Sequence, residues 1–490
     1  MAQSVGDEER QEGWHPARLI PVAGIRGQEE QEKRATSALL AVLPAVPEFG
    51  YLLLGRVGAP RGRIRTYAEV QLKDAEGKVS IPDGAIIVER GKTRWQCLVE
   101  VKTSLVDLKP DQVNRYLDMA REHGFDAVVT IPNQITAGPH ECPVTVDKRK
   151  LRRVELHHLS WWWIITEAVL QHRFRGISDP DQAWILGELI AYLDHENSGA
   201  SGFHDMGSGW PRIRDGARQN ALRAANAEVR EASERWEHFV DYLALGLSQD
   251  LGREVIPSRP RTQTTHDRLE ANVQELVNDG VLSGALKIPD AAGPLQVVAN
   301  LRTRQLTTSV TLGAPQEGRA TARVNWLLRQ LADAPVDLRI EVSFPNVRET
   351  TSITLERALQ FPQQLLNPSD PKRPPRAFAL LITRPLGLKG GKGQGSFVRE
   401  TRRQVVDFYR DVVQTLKPWQ PKPPQLPREE QVTTSKQPSP EPPPFSAVDE
   451  RDAGEGATPL EPAVAPGQTD EGTDGDAETK PLDRWWIRDS

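Results

Sequence analysis

The chain has 490 residues, with 62 Lys and Arg against 67 Asp and Glu, so it is too long for one ordinary domain and too evenly charged to be a uniformly basic nucleic-acid coat. The balance is uneven along the chain: residues 421–490 carry 7 basic and 15 acidic side chains, a net −8 that leaves +3 on the rest. Cys97 and Cys142 are the only cysteines, which excludes a disulfide framework or a cysteine-rich zinc centre and fits a reducing cytoplasm.

Residues 1–25, beginning "MAQSVGDEERQEGWHP", form a polar arm without the apolar core of a signal segment. The most apolar stretch, "ALLAVLPAVPEFGYLLLG", is interrupted by two prolines and Glu48, so no membrane association is expected. In "QEEQEKRATSALLAVL", residues 28–43, acidic residues occupy the first turns and Leu39, Leu40 and Leu43 recur at helical spacing; a helix ending before Pro44 is expected. "RIRTYAEVQLKD" alternates as a strand and "DAEGK" supplies a turn. "SIPDGAIIVER", "GKT" and "RWQCLVEVK" then read as strand, hairpin loop and strand of an antiparallel meander.

"LKPDQVNRYLDMAREHG" has Pro110 in its first turn, Asp111 near its start and Gly124 as its stop, the marks of a helix. "FDAVVTI" and "RRVELHHLS" follow as strands, and "WWWIITEAVLQH" and "PDQAWILGELIAYLDH" as helices. Residues 26–198 should therefore be an α/β domain with a mixed sheet flanked by helices. A Gly/Ser-rich linker is expected over 199–215 and a long amphipathic helix over 216–256, its apolar stripe available for self-association. Residues 257–417 read as an α+β domain of their own. From 418 onward Pro, Glu, Asp and Gly dominate, as in chains that bury too little to order; the closing "LDRWWIRDS" could dock on a protein partner.

Within the meander, Glu100 and Lys102 are separated by one residue, so in a strand they share a face while Cys97, Val99 and Val101 take the other. Asp83 opens the preceding strand, and the hairpin brings it to Glu100. Two carboxylates converging at a sheet edge beside a cation make a hard-oxygen site for Mg²⁺ or Mn²⁺, suited to phosphodiester hydrolysis. Taken singly, Asp83 also reads as a turn residue and Glu100 with Lys102 as an exposed ion pair.

Pro82-Asp83, a gap of sixteen residues and Glu100-Val101-Lys102 together resemble the signature of the PD-(D/E)XK nuclease superfamily. Gln112 and Tyr116 on the next helix resemble the Gln-x-x-x-Tyr pair of its RecB-like members. The resemblance covers about residues 27–135 and implies a restriction-endonuclease-like fold and metal-dependent cleavage of DNA, in repair or in defence against foreign DNA; the site chemistry does not itself separate DNA from RNA. By the same resemblance Asp83 and Glu100 would bind metal, Lys102 would assist the nucleophile and transition state, and Gln112 with Tyr116 would orient DNA or Lys102. Glu32 on the first helix, on one face with Thr36, Leu39 and Leu43, would complete the metal shell, with Glu29 as the alternative.

Arg61, Arg63 and Arg65 on the first strand and Lys92 and Arg94 at the hairpin are candidate phosphate-backbone contacts. Trp161, Trp162 and Trp163 read as packing residues. "GLKGGKGQGS" lacks the spacing of a phosphate-binding loop and reads as a flexible basic loop. His157 and His158, adjacent on a strand, should face opposite ways.

Overall fold

A computed structural model describes residues 18–420, except 22–24, 26, 75, 105–107, 135–142, 201–202, 204, 261, 388 and 390–394. Cys142, most of "GLKGGKGQGS", the acidic tail and its closing "LDRWWIRDS" lie outside the described residues.

The helix expected over 28–43 is α1 (Gln28–Ala45), which carries Pro44 in its last turn, and a second helix, α2 (Pro47–Gly55), starts two residues later. Pro44 is tolerated because α1 ends immediately after it. The chain then forms β1 (Arg63–Ala68), a two-strand ribbon of β2 (Leu72–Lys73) and β3 (Val79–Ser80), and the hairpin β4 (Gly84–Arg90) and β5 (Thr93–Val101). The expected first strand is cut at Glu69, whose φ of 50° turns the chain out of the sheet. α3 (Pro110–Glu122) crosses over to β6 (Ala127–Ile131), and β7 (Glu155–His158) follows. α4 (Trp161–Leu170) and α5 (Pro180–Leu193) complete this part, α5 being capped by the Asp179 side chain, which accepts from the backbone N–H groups of Asp181 and Gln182.

The sheet order is β1-β4-β5-β6-β7. β1, β4 and β5 pair antiparallel, and β5, β6 and β7 pair parallel, so the mixed sheet flanked by helices is present. Alternation along β5 divides its side chains: Cys97, Val99 and Val101 join the main core with Leu39, Leu40 and Leu43 of α1, whereas Leu98 packs with Ala85, Val113, Tyr116 and Leu117 beneath α3.

The helix expected over 216–256 is two helices, α6 (Trp210–Arg218) and α7 (Ala227–Leu251), separated at Asn220, whose φ of 53° no helix continues. α6 thus begins inside the expected linker, and Ala200, Phe203 and Met206 of that stretch are buried. The apolar stripe of α7, on which self-association was expected to rest, is packed inside the chain: Trp236, Phe239 and Tyr242 meet Phe203, Trp162 and Phe397 at ring separations of 4.8–6.2 Å.

Residues 256–416 form a second sheet from β8 (Ile256–Pro257), β9 (Val281–Lys287), β10 (Leu295–Asn300), β11 (Gln305–Gly313), β12 (Arg339–Ser343), β13 (Thr350–Thr354) and β14 (Ala377–Pro385). Its order is β13-β12-β14-β11-β10-β9-β8, antiparallel throughout. Four helices accompany it: α8 (Thr265–Asp279), α9 (Ala320–Gln330), α10 (Leu355–Gln360) and α11 (Phe397–Asp411). Its core is continuous with that of the first sheet through α7. No single described helix is long and apolar enough to cross a membrane; α1 and α2 pass that test only as a pair, bent by 110° and with their leucines largely in the core.

Candidate active site

The antiparallel register of β4 and β5 places Gly84 opposite Val99, and one step further Asp83 opposite Glu100. Asp83 accepts a 2.7 Å hydrogen bond at Oδ2 from the Val101 N–H, which pins its carboxylate across the hairpin. Lys102 lies just past β5, where its N–H continues the parallel ladder to the Ile131 carbonyl at 3.0 Å. Its ammonium bridges three groups: Glu100 Oε1 at 2.6 Å, the Val101 carbonyl at 2.8 Å and Glu32 Oε1 at 3.1 Å. Glu32 is therefore the acidic residue that α1 contributes. Glu29 instead pairs with Lys33, which also holds Glu69.

Glu100 is 1% exposed and Lys102 8%, so this is a buried cluster and not a solvated strand face. Gln112 donates to Glu100 Oε1 at 2.5 Å and to the Tyr116 hydroxyl at 3.4 Å, and that hydroxyl donates to the Ile81 carbonyl at 3.4 Å. The Gln-x-x-x-Tyr pair, one turn apart on α3, thus engages Glu100 and the segment leading to Asp83.

The electrostatics follow from three carboxylates near one ammonium in a poorly solvated place, two of them in contact with it. Burial, reinforced by the charge of Asp83 and opposed by Lys102, pushes the Glu100 carboxyl up to about 8. Burial also raises Asp83, against the Val101 N–H and Lys102, and raises Glu32, against Lys102. Burial works against the charge of Lys102, but the carboxylates of Glu100, Asp83 and Glu32 outweigh it and hold the ammonium charged. Tyr116 is pushed up to about 12 by burial and then by the Glu100 charge.

A cation fits this donor set. Glu100 Oε2 is buried without a hydrogen-bond partner, a costly state for a carboxylate oxygen that a bound cation would relieve. Among the described residues no three His, Cys, Asp or Glu side chains make a ready-built metal cage. Mg²⁺ does not need one, since one or two carboxylates together with substrate phosphate commonly hold it.

A brace behind Lys102 is invisible in local sequence patterns. Trp161, fully buried at the start of α4, donates its indole N–H to the Lys102 carbonyl at 3.0 Å. Ser104, with φ of 56°, donates its N–H to the Gly199 carbonyl and its hydroxyl to Gln31 Oε1, both at 2.8 Å. Asn133 donates to the carbonyls of both Ser104 and Gly199 at 2.8 Å. The triple tryptophan hinted at part of this, and Trp161 and Trp162 are indeed buried, while Trp163 is half-buried against the core beneath Arg56. The expected linker conceals the rest.

The candidate phosphate contacts are not at the carboxylates. β1 pairs Arg63 with Glu89, and the hairpin loop of Lys92 is at the end of β4 and β5 remote from Asp83. Six residues of strand put Glu89, and with it Arg94, about 20 Å away. Arg61, Arg63, Lys92 and Arg94 are exposed there, and Arg65 is ion-paired with Glu89. His157 and His158 are both buried with separate partners, Glu155 for the first and Thr130 with the Gln134 carbonyl for the second.

No protein-family model matches this chain, and no curated protein matches it. The functional reading consequently rests on the residues of the site.

Proposed function

We propose that this chain is a Mg²⁺- or Mn²⁺-dependent nuclease that hydrolyses phosphodiester bonds of DNA, its site built as in the PD-(D/E)XK enzymes. One observation carries the reading: Glu100 and Glu32 share the Lys102 ammonium at the end of a β-hairpin that sets Asp83 across from Glu100, with Glu100 Oε2 buried and unpartnered.

Asp83 and Glu100 would hold the cation with substrate phosphate, Glu32 standing by, paired with Lys102; when bound, the cation polarises a phosphoryl oxygen and makes water more acidic. The chain's own groups do the rest. Lys102 remains protonated beside the reacting phosphate and offsets the negative charge that builds in the transition state. Gln112 fixes one oxygen of Glu100 and leaves the other free to bind. The Val101 N–H fixes Asp83, so both carboxylates are oriented before substrate arrives and little reorganisation remains at the moment of reaction.

The test is cleavage of circular single-stranded and supercoiled double-stranded DNA with Mn²⁺ or Mg²⁺, using native protein, Lys102→Ala and an EDTA control. Metal-dependent cutting that disappears in Lys102→Ala is the expected result. Folded native protein that leaves both DNA forms intact would overturn the assignment.

A further inference from the structure

Cross-strand partners share a sheet face, and Tyr67 of β1 lies opposite Ala85 of β4. Asp83 is two residues before Ala85, so Tyr67 projects on the Asp83 side as its diagonal neighbour, about 7–8 Å away. α3 covers this face over Ala85 and Leu98. It does not cover β1, the edge strand, where Tyr67 is 45% exposed. Ile81, two residues before Asp83 and 49% exposed, lies on the segment between β3 and β4 that leads to the carboxylate. Further along the Tyr67 face Arg65 lies opposite Ile87.

We propose that Tyr67, together with Ile81, is a stacking platform for an unpaired nucleobase beside the bond that is cut, so that the preferred substrate is a single strand or a frayed end. This rests on the nuclease reading given above. The occupant follows from position: a phosphate engaged at Asp83 and Glu100 brings its own nucleotide and the next within reach of both side chains. Bases inside a duplex are already stacked on one another, so only an unpaired one can lie on the tyrosine ring. A second copy of the chain adding a strand to β1 is disfavoured by the shortness of this edge and the exposed charge of Arg63 on it.

The experiment uses the full chain in Ca²⁺ and follows fluorescence anisotropy and 2-aminopurine quenching with single-stranded and blunt duplex oligonucleotides. Native protein, Tyr67→Ala, Tyr67→Phe and Ile81→Ser are compared, with cleavage in Mn²⁺ measured in parallel. The expected result is tighter binding of the single strand by native protein, a loss of about tenfold or more and of quenching in Tyr67→Ala, and near-native behaviour in Tyr67→Phe. Ile81→Ser, expected to weaken single-strand binding in the same direction, serves if Tyr67→Ala does not fold. Native protein that cuts DNA while these variants bind single strands as it does would overturn the platform and leave the nuclease reading standing. Native protein that neither binds nor cuts would overturn both. A dimer in sedimentation that Tyr67→Ala converts to monomer would show that a second copy covers this face and would equally overturn the inference.

Discussion

Replacing Lys102 with methionine removes the cation in contact with Glu100 among the described residues while keeping most of the aliphatic stem. The Glu100 carboxylate, 1% exposed, is then left with Asp83 and Glu32 as like-charged neighbours. Stripping one partner from a buried ion pair costs about 3–5 kcal/mol. The loss depends on pH, because a carboxyl raised to about 8 in the fold binds its proton more tightly than in the unfolded chain. Stability therefore declines as pH climbs from the ordinary value of 4.5 to about 8, by at most about 5 kcal/mol in native protein. Without Lys102 the carboxyl rises further, and the decline extends to higher pH. Urea denaturation at pH 6 and pH 9 in EDTA should show a small deficit for Lys102→Met at the lower pH and a large one at the higher. A hundredfold excess of Mn²⁺ over its dissociation constant should return about 2.7 kcal/mol. A variant as stable as native protein at pH 9 in EDTA would refute the view that the Lys102 ammonium holds the Glu100 and Glu32 carboxylates together.

Cation binding should itself release a proton, since Glu100 carries one below about 8; affinity should rise about tenfold per pH unit up to that value and then level off, and calorimetry in two buffers of different ionisation enthalpy checks this. Asp83→Asn keeps an acceptor for the Val101 N–H but removes a charge, so the thermal shift produced by Mn²⁺ should vanish while the fold persists. Gly199→Ala should destabilise by about 1–3 kcal/mol, because φ is 70° there and a Cβ would come within 3.0 Å of Gln31 Oε1 and Thr103 Cβ; normal melting in this variant would dismiss the brace. Burial depresses His158 and His238 to about 4, so the unfolded chain takes up protons first and stability should fall as pH drops from about 6.5 to 4, by about 3 kcal/mol for His158 and less for His238, which keeps some solvent contact. Replacing His158 with Gln should flatten that acid limb.

The parts of the fold legible in sequence are those governed by local physics. Asp179 with Pro180 marks the start of α5, Pro110 and Gly124 bracket α3, and the alternation around Cys97 defines β5, because caps, turns and two-residue periodicity act over a few residues. An interruption of the long helix was open from the sequence, but its place at Asn220 was not legible: "RQNALRAANAE" carries good helix formers, and tertiary packing overrides them. Gly199 shows the opposite failure, since small residues that ordinarily mark a mobile connection here permit close approach to Thr103. At the site, Asp83, Glu100, Lys102 and Glu32 could be grouped because one hairpin and one helix bring them together. Trp161, Asn133 and Ser104 meet through contacts between distant segments, for which no spacing rule exists.

That brace bears on where the chain can be cut. Lys102 is held from behind by Trp161, and the Ser104 turn beside it by Asn133 and Gly199, so the candidate site is assembled from segments that run from Gln31 on α1 to Gly199. A fragment ending where the first sheet ends would keep every carboxylate and lose the carbonyl that ties down Ser104. Proteolysis just before Gly199 should accordingly loosen the Ser104 turn and the Lys102 cluster while leaving all its carboxylates in the chain.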